Sequence, residues 1–537
     1  MKKLLFILYW LGLSQTTFAQ TIPFSYSIKT KSVSVTNLPG LHSFAAAQSN
    51  GKWLIIGGRL DGLHARQPFN AFPASSNNTS ISVVDIAAQQ SWSASINNLP
   101  TGLKEQLQST NMNFYQDKDT LYIIGGYGYS NTAVDHITFP NLTSIHVSGL
   151  INAIINNTSI NSYFKQITDQ NFAVNGGQLG KIGNTYYLVG GHRFDGRYNP
   201  MGNPTYTQTY VSGMKKFNLN NTGTQLSYSN YSLVSDQVHL HRRDYNLVPQ
   251  VYPNGELGYM LSSGVFQIGV DLPFLYPVDI KASGHTPVTT FNQYLSNYHS
   301  AKAGLYDSVS NIMHSIFLGG MSQYKYVNNV LTQDNNVPFV KTISRVSRDA
   351  SGNLQENVFT AQMPALLGAS AEFIPNHSLP HYSNEVIKLS SLTGDSVMIG
   401  HIVGGIFSPQ ENPFTANQTG VTNAHATVYE VWLIKDLSGS TGIQPVNGAN
   451  PFSANVYPNP SKQDLEVTLK MPSAGDVELY VTNAEGKLVF DKHFENVGSG
   501  EQKIDLTNRL NLLPGIYFFN FICNGKFNAI EKVIIIK

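Results

Sequence analysis

Trp53-Leu54-Ile55-Ile56-Gly57-Gly58 is a short apolar run that stops on a pair of glycines, and the chain repeats it. Leu121-Tyr122-Ile123-Ile124 runs into Gly125-Gly126, and Tyr186-Tyr187-Leu188-Val189 into Gly190-Gly191. Ser315-Ile316-Phe317-Leu318 meets Gly319-Gly320, and Gly400-His401-Ile402-Val403 meets Gly404-Gly405. A weaker copy, Gly258 to Gly264, fills the one wide gap with Ser263-Gly264. The second small residues fall at 58, 126, 191, 264, 320 and 405, a period of several dozen residues. Such a period marks a repeat architecture, in which each unit is one supersecondary block. Each run is continuously apolar rather than alternating, as expected of a strand buried on both faces.

Around the first run lie three more candidate strands. Ser43 to Ala47 precedes it across Asn50-Gly51, a strong hairpin signal. Ser80 to Ile86 and Ser91 to Ile96, which carries Trp92, follow it. Four antiparallel strands, the second ending in Gly-Gly and the fourth carrying an aromatic, resemble a kelch repeat. The resemblance is to a divergent form, spans roughly residues 24 to 435, and implies a β-propeller. Val35-Thr36-Asn37-Leu38-Pro39-Gly40 matches Ile96-Asn97-Asn98-Leu99-Pro100-Thr101, the end of the first unit. Tyr26 to Val35 is therefore expected to supply the outer strand of the last blade, beside Val428 to Ile434. That closure removes open sheet edges. It predicts an all-β, six-bladed kelch-like β-propeller, with seven blades the alternative, over residues 20–435.

The 537 residues carry a net charge of +1, and only 12% are charged. No global field points to nucleic acid as a partner. Aromatics at 11% and 45 glycines suit a turn-rich β protein. Lys2-Lys3, the apolar Leu4 to Leu13 and Thr17-Phe18-Ala19 read as a signal peptide over 1–19, cleaved near Ala19. No other run reaches spanning length, so no transmembrane span is expected. The lone Cys523 allows no intramolecular disulfide.

After Asp436 a Ser-Gly-rich linker covers 436–455. Residues 456–537 then read as a sandwich of about seven short strands, of immunoglobulin-like form. Val456-Tyr457-Pro458-Asn459-Pro460, Gly486-Lys487 and Leu513-Pro514-Gly515-Ile516-Tyr517 resemble the C-terminal sorting domain of the type IX secretion system. That resemblance implies secretion machinery as a partner of 456–537, and release or retention at the outer-membrane surface.

Long loops follow the glycine pairs: 59–78, 192–205, 321–338 and 406–423. Long loops without structure of their own are usually functional. Two share a pattern, Arg59-Leu60-Asp61-Gly62 and Arg193-Phe194-Asp195-Gly196, the latter preceded by His192. The arginine either braces the turn or reaches a ligand, and bracing is the simpler reading. His239-Leu240-His241-Arg242-Arg243-Asp244-Tyr245 is the densest polar cluster. On a strand, His239 and His241 would share one side and Arg242 take the other. No third metal ligand adjoins them, so neither metal nor cofactor is expected. An internal network in which Asp244 pairs with Arg242 or Arg243 competes with an anion site. Arg59, Arg193, Arg197, Arg242, Arg243 and His299 are candidates to converge on one mouth, with Tyr127, Tyr129, Tyr198, Tyr206 and Tyr324 to stack on sugars.

These features predict an exported binding protein for a glycan, another anionic ligand or a protein. The alternative is a carbohydrate-active enzyme such as a sugar mutarotase or epimerase, resembling the six-bladed sialic-acid mutarotase. The kelch relative galactose oxidase needs a tyrosine crosslinked to cysteine, and the only cysteine lies in the tail. Glu372 and Glu385 are candidate paired carboxylates, and no catalytic residue is assigned.

Overall fold

The computed structural model describes residues 22–200, 205–328, 330–436, 443–445, 452–462, 464–484, 487–507, 510–524 and 527–536. The expected signal peptide and most of the expected linker lie outside these residues. The described chain is all-β, in two parts.

The first part holds six sheets, each built on four antiparallel strands, with short extra strands on the fifth and sixth. The opening sheet pairs Ala45–Ser49, Lys52–Ile56, Ser80–Asp85 and Gln90–Ser95 in chain order. The next three start at Asn113–Asp117, Gln178–Ile182 and Asn246–Val251, the fifth at Ala301–Asp307. The sixth runs Leu366–Pro375, Ser396–Ser408, Val428–Lys435 and then back to Tyr26–Val33. The N-terminal strand pairs there in register from Tyr26 opposite Lys435 to Val33 opposite Val428. The sequence match holds in detail, since Leu38 and Leu99 donate to Val35 and Ile96 in equivalent turns.

In every sheet the second strand is the apolar run, and its side chains are almost wholly buried, as in Ile312–Leu318. Neighbouring sheets stack on both of its faces, which explains the continuous rather than alternating pattern. Each first strand neighbours that of the next sheet, and the sixth neighbours the first.

Two cycles of backbone hydrogen bonds close this ring. In one, the second small residue of each sheet donates to the entry of the next: Gly58 to Ser109, Gly126 to Val174, Gly191 to Arg242, Gly264 to Asn297, Gly320 to Leu367 and Gly405 to Leu41. In the other, Asn111 donates to Ser43, Gly176 to Asn111, Asp244 to Gly176, His299 to Asp244, Ser370 to His299 and Ser43 to Ser370, all within 2.8–3.1 Å. Five of these six residues, all but His299, hold φ between 49° and 65°. Gly accepts that conformation freely and Asn and Asp at small cost, whereas Ser43 and Ser370 are held in it by the ring.

The first glycine of each pair sits where the next sheet presses closest. A Cβ on Gly125 would lie 1.7 Å from the Val174 carbonyl oxygen, and one on Gly190 2.4 Å from that of Arg242. Ser263 holds the same left-handed backbone, φ 54°, but its hydroxyl has room to donate to Phe274 O at 2.7 Å. That local room accounts for the weak copy.

Two short helices, Thr101–Leu107 and Val147–Ile155, pack their apolar faces into the core between the first two sheets. Two of the expected unstructured loops are partly built, since His192–Gly196 with Tyr206–Tyr210 and Tyr324–Val327 with Val330–Gln333 are hairpins, and Tyr127–Ser130 with Asp135–Thr138 forms another after the second glycine pair.

The second part has seven strands in sheets of three and four, enclosing a core that includes Val467, Leu479, Phe519 and Cys523. The buried Cys523 thiol is pushed up in pKa by desolvation.

Candidate functional site

The ring of Ser43, Asn111, Gly176, Asp244, His299 and Ser370 divides the axis of the six sheets. A cavity of about 490 Å³ lies on the side of the glycine pairs, and one of about 210 Å³ on the other. Ser43, Asn111, Asp244 and His299 line both. Ligand sites commonly occupy 300–1,000 Å³, so the larger cavity is of binding-site size.

Its wall follows from local chain geometry. The residue before each ring member lines the cavity: His42, Thr110, Asn175, Arg243, Tyr298 and Ala369. Five of them pair with the residue that follows their own small-residue pair, as His42 with Arg59, Asn175 with His192 and Ala369 with Ile406. Loop aromatics, among them Phe72, Phe194, Tyr198, Phe266 and Phe414, cover the rest. Phe72 and Tyr198 pack edge to face, and His64 stacks on Phe72 at 5.0 Å.

Arg59 lines this cavity but is spent on its loop. It donates to Asp61 at 2.8 and 2.5 Å, to Asn77 Oδ1 at 2.9 Å and to Pro73 O at 3.2 Å. Burial pushes the Asp61 carboxyl up, but the hydrogen bonds and charges of His42 and Arg59 outweigh it and hold the pKa at about 2. Arg193 lies outside the cavity lining, with its side chain 47% exposed, and grips Asp195 at 2.5 Å and Gln170 at 2.8 Å. Asp195 in turn accepts from the Thr138 N–H at 3.0 Å. Arg197 donates to Ala71 O at 2.9 Å. Bracing describes all three arginines.

The cluster from His239 to Asp244 divides. It is not a strand: residues 237–239 form a turn, and the strand begins at Asn246. His239 therefore contacts the Tyr276 hydroxyl at 2.9 Å, while His241 contacts Ser212 Oγ at 2.8 Å and stacks on Tyr210 at 3.9 Å. Burial depresses both imidazoles to about 4. Arg242 is a core residue, wholly buried between the Phe274 and Tyr276 rings, 4.0 and 4.7 Å away. Its guanidinium donates to the carbonyls of His239, Ser263 and Tyr276. Of the cluster's basic residues, Arg243 alone lines the larger axial cavity, beside Asp244. It pairs with Asp244, donates to the Tyr210 hydroxyl at 3.1 Å and lies 5.1 Å over Phe266. Its Nη2 edge has no protein partner among the described residues. Burial opposes the guanidinium charge, but Asp244 and the surrounding phenols more than offset it and hold it protonated.

His192 sits in the wall with Nε2 2.8 Å from Asn175 and Nδ1 2.7 Å from Gln208, and burial keeps it neutral. His64, missed in the sequence, is pushed down to about 4 chiefly by burial. His299 places Nε2 3.1 Å from Glu372, close enough for ion pairing but not aligned as a hydrogen bond. Burial works against the Glu372 charge, and His299 and Lys302 overcome it, leaving the carboxyl below its usual range. Of the expected stacking tyrosines, Tyr127 and Tyr198 reach the cavity. Tyr206 lies on Phe194 at 4.4 Å, Tyr129 packs on His136, and Tyr324 packs on Tyr294.

Residues 455–537 match the family of the secretion system C-terminal sorting domain. No curated protein sequence matches the chain. Among solved structures, that of YjhT aligns with a TM-score of 0.42 and 12% identity, over 76% of this chain and 99% of its own. A copper-bound fungal alcohol oxidase of the AA5 family aligns with a TM-score of 0.35 and 9% identity, over 94% of this chain and 99% of its own. The C-terminal sandwich is thus a type IX sorting domain, and the chain is marked for export to the cell surface or beyond. Among the described residues no helix is long and apolar enough to cross a membrane.

Proposed function

We propose that this protein is an exported glycan-binding protein, a six-bladed kelch-like β-propeller over residues 20–435 carried out by the sorting domain at 456–537. The signal peptide, in this reading, is removed near Ala19. The ligand is a sugar with at most one acidic group, held in the larger axial cavity. One observation carries the proposal: an aromatic-walled space of about 490 Å³ receives the open guanidinium edge of Arg243 beside Asp244. Ring faces pack against the apolar faces of sugars, and a guanidinium edge and a carboxylate serve carboxylates and hydroxyls. A strongly anionic ligand fits less well, because Arg59 is saturated and Arg193, Arg197 and Arg242 face elsewhere.

The test is a glycan array probed with the full-length exported protein and its Arg243→Ala and Tyr198→Ala variants. Retention of a defined glycan that both substitutions weaken is expected. No retention, or equal retention by the variants, overturns the proposal. Arg242→Ala would report on the core instead.

A second reading, enzymatic interconversion of sugar anomers or epimers, draws on the ring between the two axial cavities. There His299, which lines both cavities, faces Glu372 in the smaller one, where Lys302 also lies and where the carboxyl is kept ionised against burial. Such a carboxylate–imidazole pair can move a proton from the anomeric hydroxyl and deliver one to the ring oxygen, as ring opening needs, or act at a sugar carbon in epimerisation. Reducing-end NMR on any array hit separates the readings, since a binder leaves anomer exchange at its uncatalysed rate.

A further inference from the structure

The loop joining the first and second strands of the sixth sheet lies at the opposite mouth of the axis from the glycine pairs. It carries His377, His381 and Glu385, one donor every fourth residue. One ligand atom from each lies within 4.8 Å of the others. We propose that His377, His381 and Glu385 bind one divalent transition-metal ion of the zinc class at this mouth.

The donor set is the first argument. Two imidazoles and one carboxylate suit zinc and its neighbours, whereas calcium and magnesium prefer oxygen alone. Tetrahedral bonds of about 2.0–2.1 Å need donors roughly 3.4 Å apart. His377 Nε2 already stands 2.5 Å from Glu385 Oε2, and the two rings stack at 4.9 Å and 17°. Rotation of the stacked rings would bring the three donors to this spacing, and the exposed side chains of His377 and Glu385 leave room for it.

Ligand orientation is the second argument. His381 Nδ1 lies 2.8 Å from the Leu379 carbonyl, which can only accept, so Nδ1 carries the proton and Nε2 keeps its lone pair free. A backbone carbonyl on the far nitrogen is the usual support of a metal-binding histidine.

The loop itself is fixed, so the donors are not brought together from a mobile segment. Asn376 ties its start to Ile399 and Met398 at 2.9 Å, and Lys388 N–H donates to Pro380 O at 2.9 Å. Ile387–Lys388 then pairs in parallel with the first strand of the fifth sheet. Glu385 also lines the smaller cavity, so an ion here sits at the rim of the axis, with a coordination position open to water.

The experiment is isothermal titration of the full-length protein, freed of metal by chelator, with Zn²⁺, Mg²⁺ and Ca²⁺ in turn. One equivalent of Zn²⁺ is expected to bind, with Mg²⁺ and Ca²⁺ at least 100-fold weaker. His381→Gln and Glu385→Gln should each weaken that site at least tenfold while the urea midpoint without metal stays unchanged. His377→Gln, the most exposed of the histidine substitutions, guards against a folding defect in the others. Absence of a zinc equivalent, or an equivalent unmoved by all three substitutions, overturns the proposal.

Discussion

Single residues decide whether the sheets can touch. Gly125 packs against a carbonyl so closely that any side chain must displace the third sheet. Gly125→Ala is expected to cost about 3 kcal/mol or more, through positive φ and overlap together. Ser263→Gly, at the matching position of the fourth sheet, should cost less than about 1.5 kcal/mol, since it loses only one hydrogen bond and some chain entropy. Urea unfolding of both variants checks the contrast, and equal losses would contradict it. The glycine pairs were legible because every sheet repeats them. The pairs of residues that build the cavity wall and floor were less so. Arg243-Asp244 and Tyr298-His299 stood out by charge or ring, whereas His42-Ser43, Thr110-Asn111 and Asn175-Gly176 form no motif. Yet Ser43, Asn111 and Gly176 each lie fifteen residues before the second glycine of their own sheet. That constant offset, with a residue tolerant of left-handed backbone, was the available signal.

At the scale of elements, the N-terminal strand is the one piece whose partner is far away in sequence. Ile28 anchors it in the core shared by the fifth and sixth sheets, beside Leu433 and Phe359. Ile28→Ala removes buried surface and leaves a cavity, at an expected cost of about 2–5 kcal/mol. Limited proteolysis should show earlier cleavage near residues 30–40 than in the parent protein, and an unchanged pattern would contradict ring closure by this strand. Its place was readable from the Leu-Pro turn shared by residues 38–39 and 99–100. The helices at Thr101–Leu107 and Val147–Ile155 were not, because short apolar segments between strands carry no period long enough to separate helix from strand. The hairpins above the cavity escaped for a related reason: their polar, aromatic strands look like loop sequence. The expectation that His239 and His241 alternate on a strand failed because the chain turns at 237–239 before entering the sheet.

For the whole molecule, buried neutral histidines set the acid limit. Burial depresses His64, His239, His241 and His401 to about 4, and His192 and His314 further. Once unfolded, each ring takes up a proton near pH 6.5. The unfolded chain therefore binds more protons between pH 6.5 and 4. The stabilisation is full above that window and is lost as pH falls through it, by up to about 1.4 kcal/mol per pH unit for each ring. Urea midpoints at pH 7.5 and 5 should differ clearly, and a flat profile would contradict the assignment of neutral rings. The same packing that buries these rings leaves one guanidinium edge facing an aromatic cavity. The most direct measurement is calorimetric titration of the best array glycan into the full-length protein, Arg243→Ala and the outward-facing Arg193→Ala. Loss of a charged hydrogen bond of about 1.5–3 kcal/mol predicts at least tenfold weaker binding for Arg243→Ala and parental affinity for Arg193→Ala. Unchanged affinity in Arg243→Ala, or a loss confined to Arg193→Ala, would contradict the account.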